Sequence, residues 1–335
     1  MRVGIVGTGS MGQTHAAGWS MTPAKLVGFV ADKPETAASL ATRYGATAFV
    51  NLDEMLTAVD VVDVCAPTHL HHAIVLRAAA AGKDVICEKP LARTLPQAQE
   101  MIAACRAAGV KLVVGHVVRY FPEYALARQK VAAGEIGHPA VIRLRRGTFQ
   151  PRKAADNWFL DPARSGGLML DLMIHDFDYA RWAAGEVETV YARNVRTGHP
   201  DAQVDHGLAI LTHRDGALSH VEGSWAYPPP LFRTQLEIAG DNGWLRYDSA
   251  ETAALGLHLH RLREDVPDVP QPGSPLSEDP YTAQIRSFHD YLAGGPPPRV
   301  TAADGLAALQ IALAAIESAA TGEPVHLEPL PEVGA

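Results

Sequence analysis

The chain has 335 residues, of which 47% are hydrophobic and 20% are charged, and its formal net charge is −8. At roughly 150 residues per domain, this length favours two domains, each large enough to bury a core. The negative charge leaves no basic stripe for nucleic acid, and the local cluster of Arg143, Arg145, Arg146, Arg152 and Lys153 is better explained as the solvated side of a strand.

Cysteine usage and the N-terminus predict a cytoplasmic protein. Cys65, Cys87 and Cys105 lie in apolar surroundings and lack the spacing of a zinc site or a disulfide framework. The N-terminus runs directly into a glycine-broken strand instead of the apolar core of a signal peptide. No apolar run approaches the ~20 residues that cross a bilayer, so we expect no membrane partner.

Short β-branched runs alternate with helical segments from the start of the chain. Such alternation is typical of a parallel sheet flanked by helices, and it predicts a Rossmann domain over residues 1–120. Asn51 and Glu54 form a capping box at one of the intervening helices. The predicted strands are residues 3–6, 26–30, 61–65, 85–87 and 112–114.

After a helix predicted over residues 121–133, long alternating stretches indicate an α+β domain over residues 121–335 with an open-faced, mostly antiparallel sheet. One helix is expected at 167–184, a proline-rich loop at 266–280 and two helices at 281–293 and 301–320, the last a candidate to pack back on the first domain. The predicted strands are residues 139–148, 187–197, 204–213, 217–226, 234–240 and 243–248.

Gly7-Thr8-Gly9-Ser10-Met11-Gly12 follows a strand and opens a helix. Gly7 can make the tight turn, Gly9 lets the backbone approach a pyrophosphate, and Gly12 permits close packing of helix on sheet. Asp32 stands at the end of the second strand, where a carboxylate accepts the ribose hydroxyls and repels a 2′-phosphate. Lys33 beside it can soften that repulsion, so NAD is preferred and NADP remains possible.

Lys89 lies just past the carboxyl end of a buried strand, in Glu88-Lys89-Pro90. A partly desolvated lysine beside the positive nicotinamide ring can exchange a proton near neutrality, although a loop lysine paired with Glu88 is the alternative. Pro67, Thr68 and His71 follow the third long strand, where they can touch the cofactor. The cofactor-binding candidates are Gly7, Gly9, Ser10, Met11, Gly12, Asp32, Lys33, Pro67, Thr68, His71, Glu88 and Lys89.

Asp171 and His175 stand four residues apart, which places them on one face of the predicted helix at 167–184. His175 can relay the proton of a substrate hydroxyl while Asp171 orients it or binds substrate. A metal site is the weaker interpretation because no third ligand is evident nearby. Asp176 and Asp178 point elsewhere by spacing and are expected to cap, pair or face water.

Taken together, these motifs resemble the Gfo/Idh/MocA family of oxidoreductases. The resemblance rests on the glycine fingerprint, Pro67-Thr68-x-x-His71, Glu88-Lys89-Pro90 and the segment from Gly166 to His175, and Arg119-Tyr120-Phe121-Pro122 extends it. It implies a Rossmann domain, an open-faced sheet often used for oligomerisation, and hydride exchange between NAD(P) and a sugar, inositol or related cyclic polyol.

The resemblance also implies site residues. Lys89, Asp171 and His175 become the catalytic set, and the substrate-binding candidates are His116, Arg119, Tyr120, Trp158, Asp171 and His175. We therefore expect an NAD(P)-dependent dehydrogenase without a metal, with a small sugar or polyol as substrate and a homodimer or homotetramer as its assembly. Two alternatives remain open, which are an NAD-dependent glycosidase that oxidises its substrate transiently and a non-catalytic NAD(P)-sensing binding protein.

Overall fold

A computed structural model describes residues 1–152, 157–199, 202–251 and 279–330. Lys153 and residues 266–278 of the predicted proline-rich loop lie outside the described residues. The described chain divides into two compact units. The first contains residues 1–120 and 279–306, and the second contains residues 121–251 and 307–330.

Six parallel strands form the sheet of the first unit. They are β1 (Arg2–Val6), β2 (Lys25–Val30), β3 (Thr47–Ala48), β4 (Val61–Val64), β5 (Asp84–Glu88) and β6 (Leu112–Gly115). Their order across the sheet is β3-β2-β1-β4-β5-β6, so the strand order reverses between β1 and β4. Five strands match the predicted runs and confirm the Rossmann-type sheet, whereas β3 was not predicted. In such sheets, ligands bind beyond the carboxyl ends of the strands at the reversal.

Eleven α-helices are found in the described residues. They are α1 (Ser10–Ser20), α2 (Pro34–Tyr44), α3 (Leu52–Leu56), α4 (Thr68–Ala80), α5 (Leu95–Ala107), α6 (Pro122–Ala132), α7 (Pro162–Ser165), α8 (Gly167–Asp171), α9 (Ile174–Ala184), α10 (Pro280–Leu292) and α11 (Ala302–Thr321). The Asn51 half of the capping box before α3 is confirmed, because the Asn51 side chain accepts from the N–H of Glu54 at 2.9 Å; Glu54 instead accepts from the N–H of Val50, one residue before the N-cap, at 3.1 Å.

The second unit contains a seven-stranded, mostly antiparallel sheet, as predicted. Its strands are β7 (Pro139–Thr148), β8 (Val187–His199), β9 (Ala202–His213), β10 (Leu218–Ser224), β11 (Phe232–Gly240), β12 (Gly243–Asp248) and β13 (Val325–His326). Their order is β12-β11-β7-β10-β9-β8-β13, and β10 runs parallel to β7 while the other neighbours are antiparallel.

The two faces of β7 differ. Arg143 and Arg145 are exposed and pair with Glu237 and Glu222, which confirms the predicted solvated face. Arg146, which the sequence placed in the same cluster, lies on the opposite face and is 2% exposed. Side chains alternate along a strand, so the residue after Arg145 must point inward.

The single helix predicted at 167–184 is wrong, because α8 ends at Asp171 and α9 begins at Ile174. At the interruption, the N–H of Met173 donates to the carbonyl of Leu168, five residues back, at 3.0 Å. The Met173 side chain fills a notch above two glycines that pair directly across β9 and β10. A Cβ on Gly207 would lie 2.8 Å from Met173 Sδ, and one on Gly223 would lie 2.2 Å from Met173 Cγ.

Helix α11 corrects the statement that no run could cross a bilayer. By length and composition alone it qualifies, with a mean hydropathy of 1.3 over its best window. However, 56% of that window is buried, and Leu306, Leu309 and Ile311 are almost fully enclosed. This is the pattern of an apolar core helix, which weakens any membrane interpretation.

Candidate active site

The loop between β1 and α1 is shaped by three glycines. Gly7 has a left-handed φ of +98°, and a Cβ there would lie 2.5 Å from the carbonyl oxygen of Cys65. A Cβ on Gly12 would lie 1.9 Å from the carbonyl oxygen of Gly7. Only glycine fits at these two positions. At Gly9, by contrast, a Cβ would meet no described atom within 4 Å, so the chain surface is open there.

The start of α1 is suited to an anion. Gly9 is its N-cap, and within the described chain no side chain caps this end and no acidic residue lies in the first turn, which begins with Ser10 and Met11. The positive end of the helix dipole therefore faces the open surface at Gly9. This cradle fits the pyrophosphate of a dinucleotide.

Asp32 and Lys33 follow β2, and both side chains are exposed. Lys33 is the N-cap of α2, and its carbonyl accepts the N–H of Thr36 at 3.0 Å. The Asp32 carboxylate thus stands in solvent at the carboxyl edge of the sheet, which is the position expected of a residue that contacts the adenosine ribose.

His71 ties the loop after β4 to the loop after β5. Its Nε2 lies 2.8 Å from the carbonyl oxygen of Ala66, and its Nδ1 lies 2.9 Å from that of Pro90. Burial lowers the pKa of His71. Pro67 is the N-cap of α4, and Thr68 is buried beside it. These residues hold the two loops together, and their contact with the cofactor stays a prediction.

Lys89 directly follows β5, is half-buried, and precedes Pro90 through a cis peptide bond. Its backbone N–H donates to Oε2 of Glu88 at 3.2 Å. Glu88 is only 5% exposed, so its carboxylate is turned into the first unit. The conformation of Lys89 is therefore coupled to a buried carboxylate through its peptide.

His15 and Asp63 continue the chain of contacts from Glu88, and the sequence did not single them out. His15 Nε2 lies 3.0 Å from Oε1 of Glu88, and His15 Nδ1 lies 2.9 Å from Oδ2 of Asp63. Trp19 donates its indole N–H to the same Asp63 oxygen at 2.7 Å. His15, Trp19 and Asp63 have no exposed surface. We call Asp63, His15 and Glu88 the buried triad.

Charge balance explains why the buried triad is tolerated. Burial by itself would lower the pKa of His15, but the negative charge of Asp63 and its hydrogen bond outweigh this, and the pKa of His15 is raised well above its usual value. A protonated His15 lies between two buried carboxylates, and its positive charge offsets a repulsion between them that water cannot screen.

Two sequence signals could have pointed to the buried triad. Asp63 is the one charged residue in the otherwise apolar strand Val61–Val64. His15 lies three residues after Gly12 and four before Trp19, and α1 turns all three inward. A buried charge needs a partner, so a buried aspartate predicts a cationic or hydrogen-bonding partner, and an inward-facing histidine predicts a polar partner in turn.

His15, Asp63 and Cys65 are close enough together to be examined as a metal site. The donor atoms point at one another, however, with His15 Nδ1 2.9 Å from Asp63 Oδ2 and 3.3 Å from Cys65 Sγ. These are hydrogen-bond distances. Burial also raises the pKa of the Cys65 thiol, which favours the protonated form that does not bind metal. The cluster is explained by hydrogen bonding.

In the second unit, Asp171 is the last residue of α8 and is 9% exposed, while His175 is half-buried in the first turn of α9. The two residues lie on two separate helices. The four-residue spacing had predicted that they share one face of a single helix. Gly166 and Gly167, with φ of +86° and +71°, make the turn that starts α8.

Asp176 and Asp178 are both buried, so of the three predicted alternatives facing water is wrong, while pairing is confirmed for Asp176. Asp176 accepts two hydrogen bonds from Arg146, at 2.7 Å from Nε and 2.9 Å from a terminal nitrogen. This bidentate ion pair joins the first turn of α9, which carries His175, to β7.

His116, Arg119 and Tyr120 follow β6 and are buried within the first unit. Arg119 pairs with Asp304 at 3.1 Å and donates to the carbonyl of Arg299 at 2.8 Å. The Tyr120 hydroxyl lies 3.2 Å from Ser287 Oγ, and burial raises its pKa. These contacts give Arg119 and Tyr120 a structural role, and their contact with substrate stays a prediction.

Trp158 opens a short 3-10 helix (Trp158–Leu160) in the second unit and is half-buried. Its ring stacks on Phe159, with centroids 4.0 Å apart and planes 25° from parallel. The stacked pair offers an apolar surface of the kind that packs against a sugar ring, and the contact of Trp158 with substrate stays a prediction.

Comparison with protein families decides the affiliation. Residues 1–116 match the model of the GFO/IDH/MocA oxidoreductase family with an NAD-binding Rossmann fold, and residues 124–246 match that of the GFO/IDH/MocA C-terminal domain. The chain belongs to the Gfo/Idh/MocA family. It is therefore an oxidoreductase, and its first unit is an NAD-binding Rossmann domain.

Gfo/Idh/MocA relatives match along the whole chain. The 1,5-anhydro-D-fructose reductase of Ensifer adhaerens is 29% identical over 98% of both chains. The myo-inositol 2-dehydrogenase of Thermotoga maritima is 28% identical over 98% of this chain and 99% of its own. Among solved structures, GenD2 from gentamicin A biosynthesis in complex with NAD has a TM-score of 0.85 and 29% identity, with 98% of this chain and 97% of GenD2 covered.

Proposed function

We propose that this oxidoreductase transfers a hydride between NAD and the CH–OH group of a sugar, inositol or related cyclic polyol. The observation that carries the proposal is Lys89, held at the carboxyl end of β5 in the same unit as the dinucleotide cradle. The names of the relatives, a reductase of an anhydro sugar and a dehydrogenase of an inositol, support this class of substrate.

Lys89 is assigned the acid-base role. In its uncharged form it accepts the hydroxyl proton while the hydride leaves the same carbon, so that the alcohol becomes a carbonyl compound. Bound NAD supplies the hydride acceptor. On the family resemblance, Asp171 and His175 belong to the same reaction, His175 as a proton relay for the hydroxyl and Asp171 as the group that orients it.

A substrate screen tests the proposal. Sugars, inositols and amino sugars are offered with NAD and NADP, and absorbance of the reduced cofactor is followed. The expected result is substrate-dependent formation of NADH. A sugar released without net NADH would instead indicate a glycosidase that oxidises transiently, and binding without turnover would indicate a sensor.

Gly9→Ala separates cofactor binding from folding. Because a Cβ at Gly9 meets no described atom within 4 Å, we expect the melting temperature to be unchanged. The methyl group would occupy the surface that the pyrophosphate approaches, so we expect the Kd of NAD to rise at least tenfold, or about 1.4 kcal/mol. Isothermal titration calorimetry measures this. Gly45→Ala, at the left-handed C-cap of α2 (φ +62°), is the control for a destabilising change away from the cradle, so it should lower the melting temperature and keep the wild-type Kd of NAD. A wild-type Kd of NAD in Gly9→Ala would contradict the placement of the pyrophosphate.

Asp32→Ala tests cofactor choice. Removing the carboxylate takes away both the ribose contact and the repulsion of a 2′-phosphate, so we expect the KM of NAD to rise and that of NADP to fall. The ratio of kcat/KM values for the two cofactors is the measurement. If NAD affinity were unchanged, Asp32 would not contact the ribose.

We propose that the open face of the second unit's sheet joins copies of the chain into a homodimer or homotetramer. Four large apolar side chains are exposed on this face, namely Val195, Leu208, Leu218 and Trp244. They lie among exposed ion pairs of both signs, a surface that can match its own copy. Light scattering coupled to gel filtration tests this.

The free cysteines support a cytoplasmic location.

A further inference from the structure

The buried triad ends at the peptide of the proposed catalytic lysine. Asp63 contacts His15, His15 contacts Oε1 of Glu88, and Oε2 of Glu88 accepts the N–H of Lys89. The three side chains come from three separate elements, β4, α1 and β5. Nothing in the acid-base step proposed for Lys89 requires such a chain behind it.

Both ring nitrogens of His15 face carboxylates, and a carboxylate can only accept. Both contacts are hydrogen bonds at once only when both nitrogens carry hydrogen, which is the imidazolium form. The other groups facing His15 are Cys65, whose Sγ lies 3.3 Å from Nδ1, and Trp19 through Asp63. The charged ring thus holds the Glu88 carboxylate from its inner side.

We propose that His15 is a positioning residue for Lys89, acting by fixing the Glu88 carboxylate that anchors the Lys89 peptide. The proposal rests on the proposed function, in which Lys89 exchanges the substrate proton. It adds a role for a histidine whose ring has no exposed surface and therefore touches neither cofactor nor substrate.

A purely structural role is the rival explanation, because His15 lies on α1 and supports the helix whose N-terminus faces the pyrophosphate. The two explanations differ in which constant changes. Loss of helix support would weaken NAD binding, whereas a displaced Lys89 would lower kcat and leave NAD binding intact, since misplacing a catalytic group by ~1 Å can cost about a hundredfold.

His15→Gln tests the proposal in the full-length enzyme. Glutamine stays polar but cannot be charged, so we expect kcat to fall about 10- to 100-fold with the Kd of NAD within about threefold. His213→Gln is the matched control, because His213 is 1% exposed and contacts the carbonyl of Gly185 and Ser219 Oγ, both at 2.8 Å. The control is expected to keep kcat. A raised Kd of NAD with kcat unchanged would overturn the proposal.

A second variant displaces Glu88 and removes no charge. A Cβ on Gly115 would lie 2.4 Å from Oε1 of Glu88, so Gly115→Ala must push the carboxylate aside. We expect the same fall in kcat.

A double-mutant cycle of His15→Gln with Glu88→Gln should be strongly non-additive, because both changes break one chain of contacts. Additive losses would overturn the proposal.

Amide hydrogen exchange tests the anchor without any substrate. If His15 fixes Glu88, the Lys89 amide should exchange at least about tenfold faster in His15→Gln than in the wild type or in His213→Gln. Unchanged exchange would overturn the proposal even if the screen finds a substrate. Faster exchange in an enzyme that turns over no polyol would instead uphold the anchor and reject the proposed function.

Discussion

Replacing Lys89 with alanine is expected to lower kcat by about 10²–10⁴, the usual contribution of a positioned acid-base group. The Kd of NAD should change little, because the cradle at Gly9 does not involve the lysine side chain. Steady-state formation of NADH gives kcat, and calorimetry gives the Kd.

Lys83→Ala is the control for the loss of a lysine from the same domain. Lys83 is half-buried in the turn before β5, and its backbone N–H donates to the carbonyl of Ala78. This variant should keep wild-type kcat. Turnover retained in Lys89→Ala would remove Lys89 from the mechanism.

Arg146→Met is expected to lower the free energy of unfolding by about 3–5 kcal/mol, because it leaves the Asp176 carboxylate buried without its counter-charge. Asp176 has no exposed surface and Arg146 is 2% exposed, so water cannot compensate. Urea denaturation followed by circular dichroism measures the loss.

Arg145 provides the matched control on the same strand. It pairs with Glu222 at 2.8 Å, but both side chains reach solvent, so Arg145→Met should cost less than about 1 kcal/mol. The double variant Arg146→Met with Asp176→Leu should recover part of the stability, because neither charge is then left alone. If Arg145→Met and Arg146→Met lowered the free energy of unfolding equally, the ion pair of Arg146 with Asp176 would not be the buried one.

The elements with strong local patterns were predictable. The runs that became β1, β4 and β5 are short and β-branched, and helices α3 and α5 carry side-chain N-caps, Asn51 and Thr94, that bond only three residues ahead. β3 has two residues and gains its identity from pairing with β2 at the sheet edge. The break at Leu172–Met173 also escaped prediction, because residues 168–184 contain no Gly or Pro to mark it and the break depends on glycines in distant strands.

The candidate site, like the fold, has one part that was predictable from the sequence and one part that was not. The cradle at Gly7, Gly9 and Gly12 lies within one loop and the first turn of α1, so its spacing reveals it. The buried triad joins residues 48 and 73 positions apart, and no local spacing connects them. Arg146 shows the same limit, because its partner Asp176 is 30 residues away on a helix.

The notch that receives Met173 connects the sheet to two residues of the proposed reaction. Asp171 and His175 flank Met173 in the sequence, and Met173 is seated on Gly207 and Gly223, so the sheet sets the position of the residue that links them. A single methyl group added to either strand would shift both together while leaving their chemistry untouched. If Asp171 and His175 contact the substrate as we propose, substitutions at Gly207 and Gly223 would alter substrate preference without changing either polar residue.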